Sequence, residues 1–210
     1  MTDWSRFVEL FGGFRGAGYL ASAVHGFFAN GGGSAYVVRV GEAPPSPSPL
    51  SAGDYIGGFL DRKGLTALEA EDAVTMIAVP DLMSGHRSGA IGLDSVQAVQ
   101  QEMIKHCEFM GDRLAILDPP PGLGPQQMGE WRQAGAGYDS GYAALYYPWF
   151  TVLDPSTGTA RVVPPSGHIA GVWSGTGTGG VHEAPANRVI EGALELETRL
   201  APAEAELLDS

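Results

Sequence analysis

The sequence has little cysteine, little positive charge and no long apolar run. Cys107 is the one cysteine among 210 residues, which excludes an internal disulfide. It lies in an apolar stretch with helical spacing, and this predicts a small buried residue rather than a nucleophile. No run reaches the ~18 apolar residues of a membrane span, and the start, MTDWSRF, lacks the features of a secretory signal. We expect no direct membrane insertion, and we expect assembly in the cytoplasm.

Basic residues are the scarcer charged type, with 12 Lys and Arg against 24 Asp and Glu and a net charge of −12. Proteins that wrap DNA or dock on anionic membranes need the opposite balance, because lysine and arginine contact the phosphates. The charge therefore argues against a nucleic-acid partner. Its simplest role is to keep the chain soluble.

Patterns that would hold a metal or a nucleotide are also missing. The five histidines have no histidine partner two, three or four residues away, so no local ligand pair exists. Gly175 to Gly180 fits G-x-G-x-x-G, but a dinucleotide site needs a strand before this pattern and a helix after it. Here a helical stretch precedes it and a proline-containing segment follows, which favours a loop. We expect no metal and no cofactor.

Two serines invite a hydrolase interpretation: Ser140, and Ser166 two residues before His168. The G-x-S-x-G elbow is absent, and nothing in the pattern marks a converging triad. Ser166 follows two prolines and precedes a helical stretch, so we expect it to cap that helix, with about 1 kcal/mol of stabilisation. Asp118 ends a predicted strand, where α/β proteins often bind ligands, but the three prolines after it favour a rigid turn.

What the chain has in excess is glycine, whose 31 residues are about twice the usual share of ~7%. Between the glycine turns, apolar residues at helical spacing alternate with short β-branched runs. Helices are predicted over 4–11, 19–28, 55–60, 65–70, 93–110, 126–134, 169–173 and 194–200. Strands are predicted over 35–40, 74–80, 113–120, 142–154 and 160–164. Strands separated by helices indicate an α/β fold, with a layered, largely parallel sheet flanked by helices.

Aromatic residues concentrate in YAALYYPWF (142–150). Such groups build cores, but tyrosine and tryptophan also mark interfaces, where they contribute much of the binding energy. A chain with glycine loops, an aromatic-rich strand and no convincing catalytic pattern is more typical of an assembly subunit than of an enzyme.

Several of these stretches, in this order, resemble the contractile tail sheath proteins of phages and related injection systems. They are FFANGGGSAYVVRV (27–40), MIAVPD (76–81), CEFMGDRLAILDPP (107–120), YAALYYPWF (142–150), VPPSGHIAGVW (163–173) and GVHEAPAN (180–187). The similarity extends over roughly residues 1 to 197. It implies a partial sheath core domain at 1–197, with a Pro/Ser-rich loop at 42–53 and an acidic tail at 198–210. The family's core is subtilisin-like in fold, and no protease activity is implied.

The resemblance implies a structural role without catalysis. Sheath subunits surround an inner tube, and their contraction drives that tube through a target envelope. The expected partners are other sheath subunits, the inner tube and the baseplate. The candidate structural or interface residues are Asn30, Gly31, Gly32, Tyr146, Tyr147, Pro148, Trp149, Pro165, Ser166, His168, Pro185 and Asn187.

Two alternatives remain open from the sequence. One is an α/β hydrolase that uses Ser166 or Ser140 with a histidine. The other follows from the resemblance, because sheath proteins usually continue beyond both ends of the matching region. A shortened sheath paralogue could bind full-length subunits and cap or regulate their assembly.

Overall fold

The computed structural model describes residues 1–14, 16–41, 50–58, 60, 62–176 and 184–208. Helices in this part of the chain flank two three-stranded sheets, which confirms the α/β prediction. The helices are α1 (Trp4–Phe11), α2 (Leu20–Ala29), α3 (Ala52–Ile56), α4 (Asp81–Arg87), α5 (Leu93–Met110), α6 (Pro125–Glu130), α7 (Ser166–Gly175) and α8 (Pro202–Leu208). The strands are β1 (Met76–Ile77), β2 (Leu114–Leu117), β3 (Ala143–Leu145), β4 (Phe150–Leu153), β5 (Ala160–Val163) and β6 (Ala193–Leu196). None of the described helices is long and apolar enough to cross a membrane.

The first sheet is parallel, with strand order β1-β2-β3. Its central strand β2 is buried along its whole length, as expected for a continuous apolar run covered on both faces. Helices α4 and α5 connect β1 to β2, and α6 lies between β2 and β3. This succession of strand, helix and parallel strand is the layered arrangement that the sequence predicts.

The second sheet is antiparallel, with strand order β5-β4-β6. β4 and β5 form a hairpin, in which Phe150 pairs with Val163 and Leu153 with Ala160. The prediction of a helix over 194–200 is wrong, because β6 occupies Ala193–Leu196 and pairs with β4. Pairing with a neighbouring strand overrides the weak local helical preference of this short segment.

Helix α5 provides much of the central core, and the prediction that Cys107 is buried in an apolar stretch with helical spacing is confirmed. Val96, Val99, Met103 and Cys107 are buried against β1, β2 and the second sheet. The helix ends at Gly111, which adopts φ 72° and donates its N–H to the Cys107 carbonyl at 2.8 Å. A left-handed residue at this position is the common way for a helix to end.

Other segments also differ from the sequence predictions. The helix predicted over 55–60 lies at Ala52–Ile56, and the strand predicted over 142–154 is divided into β3 and β4, which belong to different sheets. Residues 35–40 form no strand, although their β-branched composition predicts one. Helix α6 continues as a π-helix over Trp131–Ala136, and a short 3₁₀ helix occupies Gly64–Leu68. The predicted acidic tail contains α8, which packs on α6 and whose Leu208 carbonyl accepts a hydrogen bond from Arg132. Residues 42–49 of the predicted loop lie outside the described residues, and α3 begins inside its last part.

Candidate functional site

Helices α2 and α7 meet through glycine, and this glycine contact (Gly26, Gly167, Gly171 and Gly175) organises most of the candidate residues. A Cβ at Gly167 would lie 2.4 Å from Ala23 Cα, and one at Gly171 would lie 2.3 Å from the Phe27 carbonyl oxygen. Both distances are far below van der Waals contact. The two backbones therefore touch in a way that any larger residue would prevent.

His168 lies in this contact as a packing residue. It is buried, its ring meets the Phe150 ring edge-on at 5.0 Å between centroids, and a Cβ at Gly26 would lie 2.4 Å from it. Burial, and secondarily the charge of His25, lowers the pKa of His168 to about 4. Its Nδ1 has no hydrogen-bond partner in the described part of the chain. His168 is therefore neutral at physiological pH and lacks the carboxylate partner of a catalytic base.

The expectation that Ser166 caps α7 is wrong, because Pro165 occupies the cap position and Ser166 is the first helical residue. The cap is supplied by Asp118, whose Oδ1 accepts the Ser166 N–H at 2.9 Å and whose Oδ2 accepts the Ser166 hydroxyl at 2.6 Å. From the sequence, Asp118 is predicted only to end a strand before a rigid turn. The signal for its role was available: a carboxylate directly after a buried strand can reach a helix N-terminus.

A small buried network surrounds this cap. Gln100 on α5 donates its Nε2 to the Asp118 carbonyl at 2.7 Å, and the Tyr138 hydroxyl donates to Gln100 Oε1 at 2.8 Å. Burial raises the pKa of Asp118 to about 7, although the two hydrogen bonds from Ser166 favour the ionised form. The network ties β2, α5 and α7 together and holds the Ser166 hydroxyl to a carboxylate rather than to a histidine.

Asn30 and the two glycines after it close the C-terminal end of α2. The Asn30 side chain accepts the Glu191 N–H at 2.8 Å and donates to the Glu191 carbonyl at 3.1 Å. Gly31 adopts φ 96° beside Gly175, and a Cβ at Gly32 would collide with the Phe27 ring. These residues therefore join α2 to α7 and to the segment that leads into β6.

The predicted aromatic group is mostly internal. Trp149 is 1% exposed, donates its Nε1 to the Pro119 carbonyl at 3.1 Å and meets the Tyr19 ring edge-on. The Tyr147 hydroxyl donates to the Leu123 carbonyl at 2.8 Å, and Tyr146 packs against Trp173. Pro148 is buried and follows a cis peptide bond. The group therefore joins the two sheets inside the subunit.

The remaining predicted residues lie at the surface or outside the described part. Pro185 is half-buried, and Asn187 is exposed with φ 55°. His182, Glu183 and most of the G-x-G-x-x-G pattern fall within residues 177–183, outside the described residues. The Ser140 hydroxyl is exposed and donates to Glu108 Oε1 at 2.7 Å. In the described ranges, no three metal-ligand side chains lie together.

Sequence reasoning missed a set of exposed apolar side chains. Leu194 and Leu196 on β6 are 62% and 50% exposed, and Leu153 at the end of β4 is 54% exposed. Val189 precedes β6 and is 86% exposed, and Phe109 at the end of α5 is 80% exposed. The alternation of leucine and glutamate in ALEL (193–196) was the available signal for a strand with one apolar face.

Comparison with known proteins gives one family match and several structural matches. The family model of the phage tail sheath protein central domain matches residues 63–209. Seven chains of solved structures match this fold, among them one from the cryo-EM structure of the anti-feeding prophage (AFP) baseplate. That match has 25% sequence identity and a TM-score of 0.57 over 89% of this chain. It covers 43% of the solved chain, so the present chain spans less than half the length of that relative. No curated protein matches.

The family match includes every strand of both sheets, together with the glycine-bearing helix α7 and the Asp118 cap. The structural match extends further, because 89% of the chain must include part of the region before residue 63. The family itself is shown by the family model, which matches well over half of the chain. The chain belongs to the phage tail sheath protein family, whose central domain its residues 63–209 match.

Proposed function

We propose that the chain is a structural subunit of a contractile sheath that surrounds an inner tube and drives it through a target envelope. The observation that carries this proposal is the family match over residues 63–209. The similarity to a chain in the AFP baseplate structure supports it. The present chain spans 43% of that solved chain. Contraction and the driving of the tube are actions of a complete sheath protein, and we propose them for this chain.

The geometry of the candidate residues supports a structural role. The sheath family is structural and non-enzymatic, and the residues that suggested a triad serve packing here. Ser166 is bound to Asp118, and His168 is packed between α2 and the Phe150 ring. Ser166 and His168 therefore help to keep the subunit rigid. A subunit that transmits force needs such rigidity.

The proposed partners are other sheath subunits, the inner tube and the baseplate, with assembly in the cytoplasm. The exposed leucines of β6 offer apolar area at a sheet edge, which is the kind of surface that subunit contacts use. A net charge of −12 favours solubility before assembly. Moderate contacts repeated over many subunits suit a lattice whose members must rearrange without separating.

Immunogold labelling of tail-like particles from cells that produce this chain tests the proposal. We expect label at regular intervals along the outer layer of the tail, in both extended and contracted particles. Label confined to one end of the tail would instead support a subunit that caps assembly. Particles without label would contradict the sheath assignment.

A further inference from the structure

A large apolar cavity lies between two stretches of chain that are not in contact as strands. Its volume is about 540 Å³, and its lining includes all of residues 33–40 on one stretch and all of residues 73–81 on the other. Helix α2 contributes Leu20, Val24 and Phe27 to the same lining. The cavity is partly open to solvent, so the apolar side chains that line it lack the packing that a closed interior would give them.

The second of these stretches contains β1, which is the edge of the parallel sheet. Met76 and Ile77 pair with Leu114 and Ala115 of β2, and no strand among the described residues pairs with the other side of β1. The side of β1 away from β2 therefore presents backbone groups without a ladder partner. Edges of this kind readily accept another strand.

The first stretch has the composition of a strand but no ladder. Residues 35–40 read AYVVRV, with three valines and a tyrosine that favour β-structure. Ala35 exchanges hydrogen bonds with Met1 at 2.8 Å, whereas no described group hydrogen-bonds to the backbone of residues 36–40. Gly31 and Gly41 flank the stretch with φ values of 96° and 80°, so glycine lies at both ends where the chain changes direction.

We propose that residues 35–40 close onto the free edge of β1 as a fourth strand and so eliminate the cavity. The strand would be parallel to β1, because α3 and the 3₁₀ helix at Gly64–Leu68 lie between them in the chain, as a crossover connection requires. Closure converts unpaired backbone groups on both stretches into a ladder. It also places Val38 and Val40 on one face of the extended sheet and Val37 on the other. The open arrangement and the closed one are then two states of the same subunit.

Native-state hydrogen exchange on the unmodified protein tests this directly. A ladder protects every second amide of a strand, so we expect alternate amides between Tyr36 and Val40 to exchange at least about 100-fold more slowly than those of Gly33 and Ser34. The protection must not depend on protein concentration. Uniformly fast exchange over 36–40 would overturn the proposal. Protection that grows with concentration would also overturn it, because a second copy would then fill the edge.

A proline variant and a matched control, compared by dye binding, show whether the cavity is closed by residues 35–40 or stays open to ligands. Val38→Pro removes an amide inside the proposed strand, whereas Ser34→Pro places the same ring just before it. The apolar dye 1-anilinonaphthalene-8-sulfonate should bind weakly to the unmodified protein and to S34P, and at least several-fold more strongly to V38P. Strong binding of this dye to the unmodified protein would show a cavity that stays open, and the proposal would fail.

Discussion

Gly171 shows at the scale of a single residue how little space separates α2 from α7. A methyl group there would lie 2.3 Å from the Phe27 carbonyl oxygen and 2.9 Å from Asn30 Cβ. Backbone atoms cannot move aside as a flexible side chain can. The helices themselves would have to separate, and His168 and Asn30 would lose their packing.

We therefore expect Gly171→Ala to lower the free energy of unfolding by about 1–3 kcal/mol, the usual cost of overpacking. Gly129→Ala is the matched control, because Gly129 also lies in a helix and a Cβ there would meet nothing within 4 Å. That control should be neutral, or stabilising by up to about 1 kcal/mol from the higher helix propensity of alanine. Urea denaturation measures both variants. Equal effects at the two sites would show that α2 and α7 are not in close contact.

Asp118 is the residue whose ionisation should set the pH dependence of stability. Its pKa is raised to about 7 in the folded chain by burial, from an ordinary value of 3.8. Between these values the folded state holds a proton that the unfolded state has released. The free energy of unfolding should therefore fall as the pH rises from about 4 to about 7, by at most about 1.4 kcal/mol per pH unit.

Asp118→Asn should flatten this slope, because an amide cannot ionise yet still offers an oxygen to the Ser166 N–H. Urea denaturation at pH 4, 5.5 and 7.5 gives the comparison with the unmodified chain. Asp72→Asn is the control, since Asp72 is exposed and should leave the slope in place. A slope that survives in D118N would assign the pH dependence to other groups.

At the scale of elements, Asn30 joins the end of α2 to the segment that leads into β6. Its side chain makes one hydrogen bond to each backbone group of Glu191, and a third, at 2.8 Å, to the Gly26 carbonyl. Asn30→Ala should lower the free energy of unfolding by about 1–2 kcal/mol. Asn30→Asp keeps the acceptor for the Glu191 N–H, but it turns a carboxylate oxygen toward the Gly26 and Glu191 carbonyl oxygens at the C-terminus of α2, so it should lose at least as much. Exchange of the Glu191 amide should accelerate in N30A, and an unchanged rate would show that the two elements are held elsewhere.

The elements also show where sequence reasoning succeeds and where it stops. Helix α5 and strand β2 are foreseeable because each carries a long, regular apolar pattern that only one structure can bury. Strand β6 carries a weaker signal, because the leucine–glutamate alternation in ALEL extends over four residues only, and pairing with β4 decides their conformation. The same limit applies to the cap of α7: the position of Asp118 after a buried strand indicates that it can reach a helix N-terminus, but the fold decides which one, since Ser166 lies 48 positions later in the chain.

At the scale of the whole molecule, Cys107 reports on how the core opens. It is fully buried on α5, and burial raises the pKa of its thiol to about 12, so thiolate is scarce at neutral pH. We expect 5,5′-dithiobis(2-nitrobenzoic acid) to leave the folded protein unmodified for as long as it stays folded. One thiol per chain should react promptly in urea. Rapid reaction of the native protein would indicate that α5 separates from the sheets below the global unfolding transition.

The surface leucines of β6 should matter for assembly and not for folding. Leu194→Ser combined with Leu196→Ser removes exposed apolar area, so thermal stability should change by less than about 1 kcal/mol. The double variant should nevertheless fail to enter tail particles, as judged by the amount that co-sediments with them. Phe109→Ser on α5 is the matched control for loss of an exposed apolar side chain away from β6. Normal incorporation of the double variant would place the subunit contact elsewhere.

The close approach of α2 to α7 also limits how this sequence can drift. Gly167 and Gly171 stand where the opposite backbone leaves room for a hydrogen atom and nothing larger. Every one-nucleotide missense change of a glycine codon introduces a residue with a Cβ. Lineages that carry this helix pair thus have no neutral single missense step at these two codons. They can replace glycine only together with a change that moves the neighbouring helix.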